Sequence, residues 1–122
     1  MPSSTEFIAH CLELMAPLGV PRVRRMFGGH GVYLDELFIA LIANDCLYLK
    51  ADEHCRALFE QAGCVPFRYT SRQGGEGVMA YYTVPEEAME SPALLAPWLR
   101  WAQAAALRSR AALPTRRRSR HT

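Results

Sequence analysis

The chain has 122 residues, half of them hydrophobic, which fits one domain with a core that needs no disulfide or metal to hold it together. Its formal charge of +2 hides a segregation: Met1 to Leu107 carries 8 basic and 12 acidic residues, whereas Arg108 to Thr122 carries 6 arginines and no acid. The body of the chain is therefore mildly acidic, a poor footprint for a nucleic-acid backbone, and no apolar run approaches the roughly 18 residues of a membrane span.

Ser3-Ser4-Thr5-Glu6 has the form of a capping box, with Ser3 as cap and Glu6 reaching back. Phe7, Ile8, Cys11, Leu12 and Met15 recur at helical spacing, so a first helix is expected from Thr5 to Ala16, stopped by Pro17 and Gly19. Val23 to Gly28 has strand character, as does Val32-Tyr33-Leu34. Asp35-Glu36 forms a turn into the apolar run Leu37 to Ile42, and Asn44-Asp45 forms a second turn into Cys46 to Lys50. The result is a meander of three or four strands. Asp52 is placed to cap a second helix that Gly63 ends. Phe67 to Thr70 and Val78 to Thr83 are two further strands around the loop Gln73 to Gly77, and Pro85 to Met89 forms a helical turn. Ser91-Pro92 starts the last helical region, where Pro97 implies a kink or a later start. Pro114 ends it, and Thr115 to Thr122 is expected to be disordered.

This order predicts an α+β fold of two layers, α-β-β-β-α-β-β-α, with an antiparallel sheet of about five strands and helices packed on one face. Residues 1–110 form the domain and residues 111–122 an arginine-rich tail.

The stretch Phe27-Gly28-Gly29-His30-Gly31 sits between two strands. Phosphate-cradling glycine loops need a helix to follow, and here a strand follows. The glycines therefore serve either backbone geometry, through positive φ or close approach, or a surface built on the bend.

Met26-Phe27-Gly28-Gly29, Gly31-Val32-Tyr33, Leu47-Tyr48-Leu49-Lys50, Phe67-Arg68-Tyr69, Met79-Ala80-Tyr81-Tyr82 and Pro85-Glu86-Glu87 together resemble the N-terminal domain of the TfoX/Sxy family, over roughly Phe7 to Arg110. The resemblance implies an antiparallel sheet flanked by helices, a stand-alone N-terminal module, and a role in bacterial competence regulation. There the family acts beside a DNA-bound activator of the cyclic-AMP receptor type, with no cofactor and no catalytic residue. Glu36 departs from the pattern, which places glycine in an Asp-Gly turn.

No catalytic constellation is assembled in the sequence. His54 and Cys55 are neighbours and face different ways, and His30 stands alone in the bend. Cys11, Cys46, Cys55 and Cys64 form no Cys-x-x-Cys pair and no secretory signal precedes them, so reduced thiols in a cytoplasmic protein are expected, with no metal. Tyr81 and Tyr82 must face opposite ways on a strand, one beneath a helix and one toward solvent or a partner. The candidate interaction surface comprises Arg25, Phe27, Gly28, Gly29, His30, Gly31, Tyr33, Lys50 and Tyr82. The expected partner is a protein, such as a DNA-bound transcription regulator or a second copy in a homodimer. A small molecule or enzymatic use of the Gly28–Gly31 bend is the alternative, and Arg116, Arg117, Arg118 and Arg120 supply weak nucleic-acid attraction through the tail.

Overall fold

The computed structural model describes residues 4–26, 29–70 and 76–119. Helix α1 (Thr5–Met15) leads through a 3-10 turn at Ala16–Leu18 into four strands: β1 (Pro21–Met26), β2 (Gly29–Leu34), β3 (Leu37–Ala43) and β4 (Cys46–Lys50). Helix α2 (Arg56–Gln61) precedes β5 (Pro66–Thr70) and β6 (Glu76–Thr83), and a 3-10 turn at Glu86–Glu90 leads into α3 (Pro92–Ser119). The six strands form one open antiparallel sheet in the order β1-β2-β3-β4-β6-β5. The α+β class and the antiparallel sheet agree with the sequence, and the meander before α2 has the larger of the two strand counts.

Local chemistry differs from expectation at four points. Ser4, not Ser3, caps α1: its hydroxyl accepts the Phe7 amide at 3.1 Å, and its own amide donates to Asp45 Oδ1 at 2.7 Å. Asp52 does not cap α2 directly. Its carbonyl accepts the amides of Cys55 and Arg56 at 3.1 and 2.8 Å, closing a turn that delivers the chain to the helix. The Asp35-Glu36 turn remains a tight two-residue hairpin although Glu36 replaces glycine: φ is 51° at Asp35 and 68° at Glu36, as a type I′ turn requires. Two local bonds hold it, from the Val20 amide to Asp35 Oδ1 at 2.9 Å and from Arg22 to Glu36. Finally, α3 runs through both prolines. Ser91 Oγ accepts the Leu94 amide at 3.3 Å at its start. Pro97 lies on the exposed face with Ala93, the residue whose carbonyl would otherwise accept the amide that proline lacks. Beyond Pro114 the backbone is helical to Ser119, through Arg116, Arg117 and Arg118, residues of favourable helix propensity.

The helices cover one face of the sheet. Val32, Leu34, Ala40, Ile42, Leu47, Leu49 and Tyr82 meet Cys11, Leu14 and Met15 of α1, Phe59 of α2, and Leu95, Leu99 and Ala102 of α3 in one core. Phe59 is its aromatic centre, fully buried, with ring centroids 5.0 Å from Trp98, 5.8 Å from Tyr82 and 6.4 Å from Trp101. Burying a ring of this size contributes more than any single polar contact nearby.

The opposite face packs on itself. Leu41 and Tyr81 are each 5% exposed yet lie outside the helix-side core. Pairing slips by one residue opposite Val32/Tyr33 and by two at Pro66/Phe67, and such bulges increase twist. The sheet curls so far that Met26 of edge strand β1 and Phe67 of edge strand β5 line one small cavity with Leu41.

Phe59→Ala is expected to lower stability by about 3–5 kcal/mol in denaturant melts. Trp98→Ala should cost less, because Trp98 is only partly buried. Equal losses would contradict the placement of Phe59 at the centre.

Candidate functional site

Two adjoining features carry chemistry. The first is the β1 edge. Arg22, Arg24 and Arg25 are all exposed on a strand that pairs only with β2. Arg22 lies with its guanidinium 4.6 Å above the centre of the Tyr33 ring and its Nη2 2.9 Å from Glu36 Oε1. Arg24 and Arg25 make no ion pair among the described residues.

The second feature continues from that guanidinium as a row of rings across the curled face. Tyr33 stacks on Phe38 at 5.1 Å, Phe38 meets Tyr81 at 5.8 Å, and Lys50 Nζ lies 5.1 Å from the Tyr81 ring centre. The pairings Arg22↔Tyr33, Tyr33↔Phe38 and Lys50↔Tyr81 set this row, since directly opposed residues of an antiparallel pair share a face. Where the row meets α3 there is a cleft of about 260 Å³. Tyr33, Leu37, Phe38 and Ala106 form its apolar surface, and Lys50, Ser109, Arg110 and Glu36 bring polar groups. Lys50 is half-buried, and burial holds its ammonium below the ordinary lysine value, with Asp52 opposing the shift. Burial also pushes the Tyr81 hydroxyl up to about 12.

A bidentate ion pair sets the position of α3 over this cleft. Arg108 Nε lies 2.6 Å from Asp52 Oδ2 and Nη2 lies 2.9 Å from Oδ1. The Asp52 carboxylate also accepts the His54 amide at 3.0 Å. The Arg108 bonds hold its pKa down at about 2.

The sequence-predicted surface is divided by the sheet. Gly29, Gly31, Tyr33 and Lys50 lie on the curled face. Arg25 and His30, which pair directly, lie on the helix-side face, as does Tyr82. Tyr82 is buried, with its hydroxyl donating to Glu60 Oε2 at 2.9 Å, so Tyr81 and not Tyr82 joins Tyr33 and Lys50. His30 Nδ1 is buried with no partner among the described residues. Phe27, Gly28 and Arg120 lie outside the described residues, and α3 carries Arg116, Arg117 and Arg118 in its last turns. Phe38 was within reach of the sequence, because a two-residue turn at Asp35-Glu36 places it opposite Tyr33. Ser109 and Arg110 join the cleft only through helix packing, which no local pattern encodes.

The glycines serve close approach. A Cβ at Gly31 would stand 2.7 Å from Met26 Cε and 2.8 Å from Phe38 Cε1, and one at Gly29 would stand 2.6 Å from the Ile42 carbonyl oxygen. Neither glycine lies in the left-handed region of φ; among the described glycines only Gly63 does.

Three of the thiols are poor nucleophiles. Burial raises the pKa of Cys11 to about 12 and also raises those of Cys55 and Cys64. Among the described residues no group of three or more His, Cys, Asp or Glu is arranged to hold a metal, and no helix is long and apolar enough to cross a membrane.

Gly31→Ala is expected to cost about 1–3 kcal/mol by overpacking and to be partly relieved by Met26→Ala. Gly29→Ala should gain no such relief, because it meets backbone; equal rescue of both, in urea melts of single and double variants, would contradict this packing. Asp52 has a depressed pKa, so its contribution is full above the ordinary value of 3.8 and is lost as pH falls through about 2. Asp52→Asn should therefore lower the melting temperature near neutral pH, with the difference from wild type closing at about pH 2. A difference independent of pH would contradict the ion pair.

A family model described as the TfoX N-terminal domain matches residues 13–106, from within α1 through all six strands into α3. No curated protein matches the chain. The family match covers well over half of the chain, and the chain belongs to the TfoX N-terminal domain family.

Proposed function

We propose that the chain is a non-enzymatic, cytoplasmic protein-interaction module of bacterial competence-type transcriptional regulation, and that β1 is its docking edge. The observation that carries this reading is the edge itself: one side of β1 pairs with β2, while the other presents backbone groups flanked by exposed Arg22, Arg24 and Arg25. A free edge accepts an added strand, and arginines on both of its faces select an acidic segment. The net negative charge of residues 1–107 disfavours close docking on DNA and so favours a protein as the partner. The raised thiol pKa values also favour binding over covalent chemistry.

The test is fluorescence anisotropy of the labelled chain against a purified bacterial activator of the cyclic-AMP receptor type. Saturable binding that weakens with salt is expected. The Arg24→Glu/Arg25→Glu double variant should bind at least about tenfold more weakly with an unchanged melting temperature. Absence of wild-type binding, or equal binding by a folded double variant, would overturn the reading.

A further inference from the structure

The cleft between the β2–β3 hairpin and α3 contains groups that the edge reading leaves without a role. Lys50 projects into it half-buried and makes no ion pair among the described residues; its contact is with the Tyr81 ring. Arg110 adds a second cation at the exposed rim, also without an ion pair among the described residues. The acidic group present is already neutralised, because Arg22 donates to both Glu36 oxygens, at 3.3 and 2.9 Å. Ser109 offers a hydroxyl donor, and the rest of the lining is apolar. Partial burial of the Lys50 ammonium is costly, the Asp52 carboxylate that acts on it is already paired with Arg108, and an anion entering the cleft would offset that cost.

The shape and the donors narrow the anion. At about 260 Å³ the cleft lies just below the roughly 300–1,000 Å³ of pockets for drug-sized ligands, so its ligand is small. Many phosphate sites add the free backbone amides of a helix N-terminus to their side-chain cations. Here α3 contributes Ala106, Ser109 and Arg110 from its middle, where the amides are engaged in the helix. What remains is side-chain cations beside aromatic rings, which suits a carboxylate on an apolar body.

We infer that this cleft binds a small aromatic or branched aliphatic carboxylic acid, its carboxylate between Lys50 and Arg110 and its apolar body against Tyr33 and Phe38. The same chemistry is offered by a free organic acid and by the last residue of a peptide with a free carboxyl terminus. The inference goes beyond the docking edge and does not depend on it.

The test is an NMR titration of the full chain, following the ring resonances of Tyr33 and Phe38. Phenylacetate should shift them saturably, and phenylacetamide, which lacks the charge, should not. Lys50→Met, which keeps the apolar stem, should weaken phenylacetate binding by about tenfold, as loss of one charge-assisted contact does. Arg110→Gln should weaken it less, since that guanidinium is exposed to solvent. A tripeptide ending in phenylalanine, with its carboxyl free or amidated, separates the sources. Tighter binding of the free-carboxyl peptide than of phenylacetate assigns the cleft to chain termini, and binding of phenylacetate alone assigns it to free acids. Equal binding of the acid and its amide, unchanged binding by Lys50→Met, or no saturable shift with either source would overturn the inference. Should Lys50→Met fail to fold, the exposed Arg110→Gln substitution still reports, and unchanged affinity there would overturn the role of the paired cations. The Arg24→Glu/Arg25→Glu variant should bind phenylacetate as wild type does, which keeps this test separate from that of the edge.

Discussion

A side chain at position 31 would force its neighbours to move. The space a Cβ would occupy is taken by the end of Met26 and the edge of the Phe38 ring, and at position 29 the Ile42 carbonyl stands equally close. This constraint lets three strands approach on the concave side of the sheet, and the rest of the architecture follows. Because the face curls inward, Leu41 and Tyr81 are buried without any helix to cover them. A flat sheet of these strands would leave Tyr33, Phe38, Tyr48 and Phe67 as a broad exposed apolar patch. Curled, they become a second small core, in which Tyr48 and Phe67 meet edge to face at 5.0 Å.

The two cores place the functional groups. The helix-side core, centred on Phe59, fixes α3 against β3 and β4, and the Asp52–Arg108 pair holds the part of that helix just before Ser109 and Arg110. The concave core fixes Phe38 and Tyr81, and these position Tyr33 and Lys50 in turn. The cleft is the seam where the cores meet. The arginine edge lies at the outer side of the same row, joined to it by Arg22, which contacts both Tyr33 and Glu36. A bound acid and a docked strand would therefore touch neighbouring ends of one rigid row of side chains.

Much of the fold was legible because its signals are local. The turn residues at Asp35-Glu36 and Asn44-Asp45, the stop at Gly63 and the apolar spacing of α1 each act within a few residues. Where reading failed, a distant group decided. Ser4 is the cap, and Asp45 accepts the Ser4 amide from across the fold. Pro97 is tolerated because it falls on the solvent side of α3, which only packing determines. The role of the glycines was left open between a site and a structural bend, because close approach involves Phe38, on the next strand, and a carbonyl of β3. Of the candidate residues, Tyr33 and Lys50 were found by residue type and do come together. Tyr82 fell on the wrong side, because period-two alternation separates it from Tyr81 without saying which of the two faces the helices.

The account rests on the inward curl of the sheet, and one measurement addresses it directly. Met26 and Phe67 belong to opposite edge strands, which a flat six-stranded sheet would hold about 24 Å apart, at about 4.8 Å between neighbouring strands. In the curled sheet they line the same cavity. A proton–proton Overhauser experiment on the Met26 methyl group should show a cross-peak to the Phe67 ring. A methyl signal that correlates only with β1 and β2, with the Phe67 ring open to a soluble paramagnetic probe, would contradict the curl and the cleft it creates.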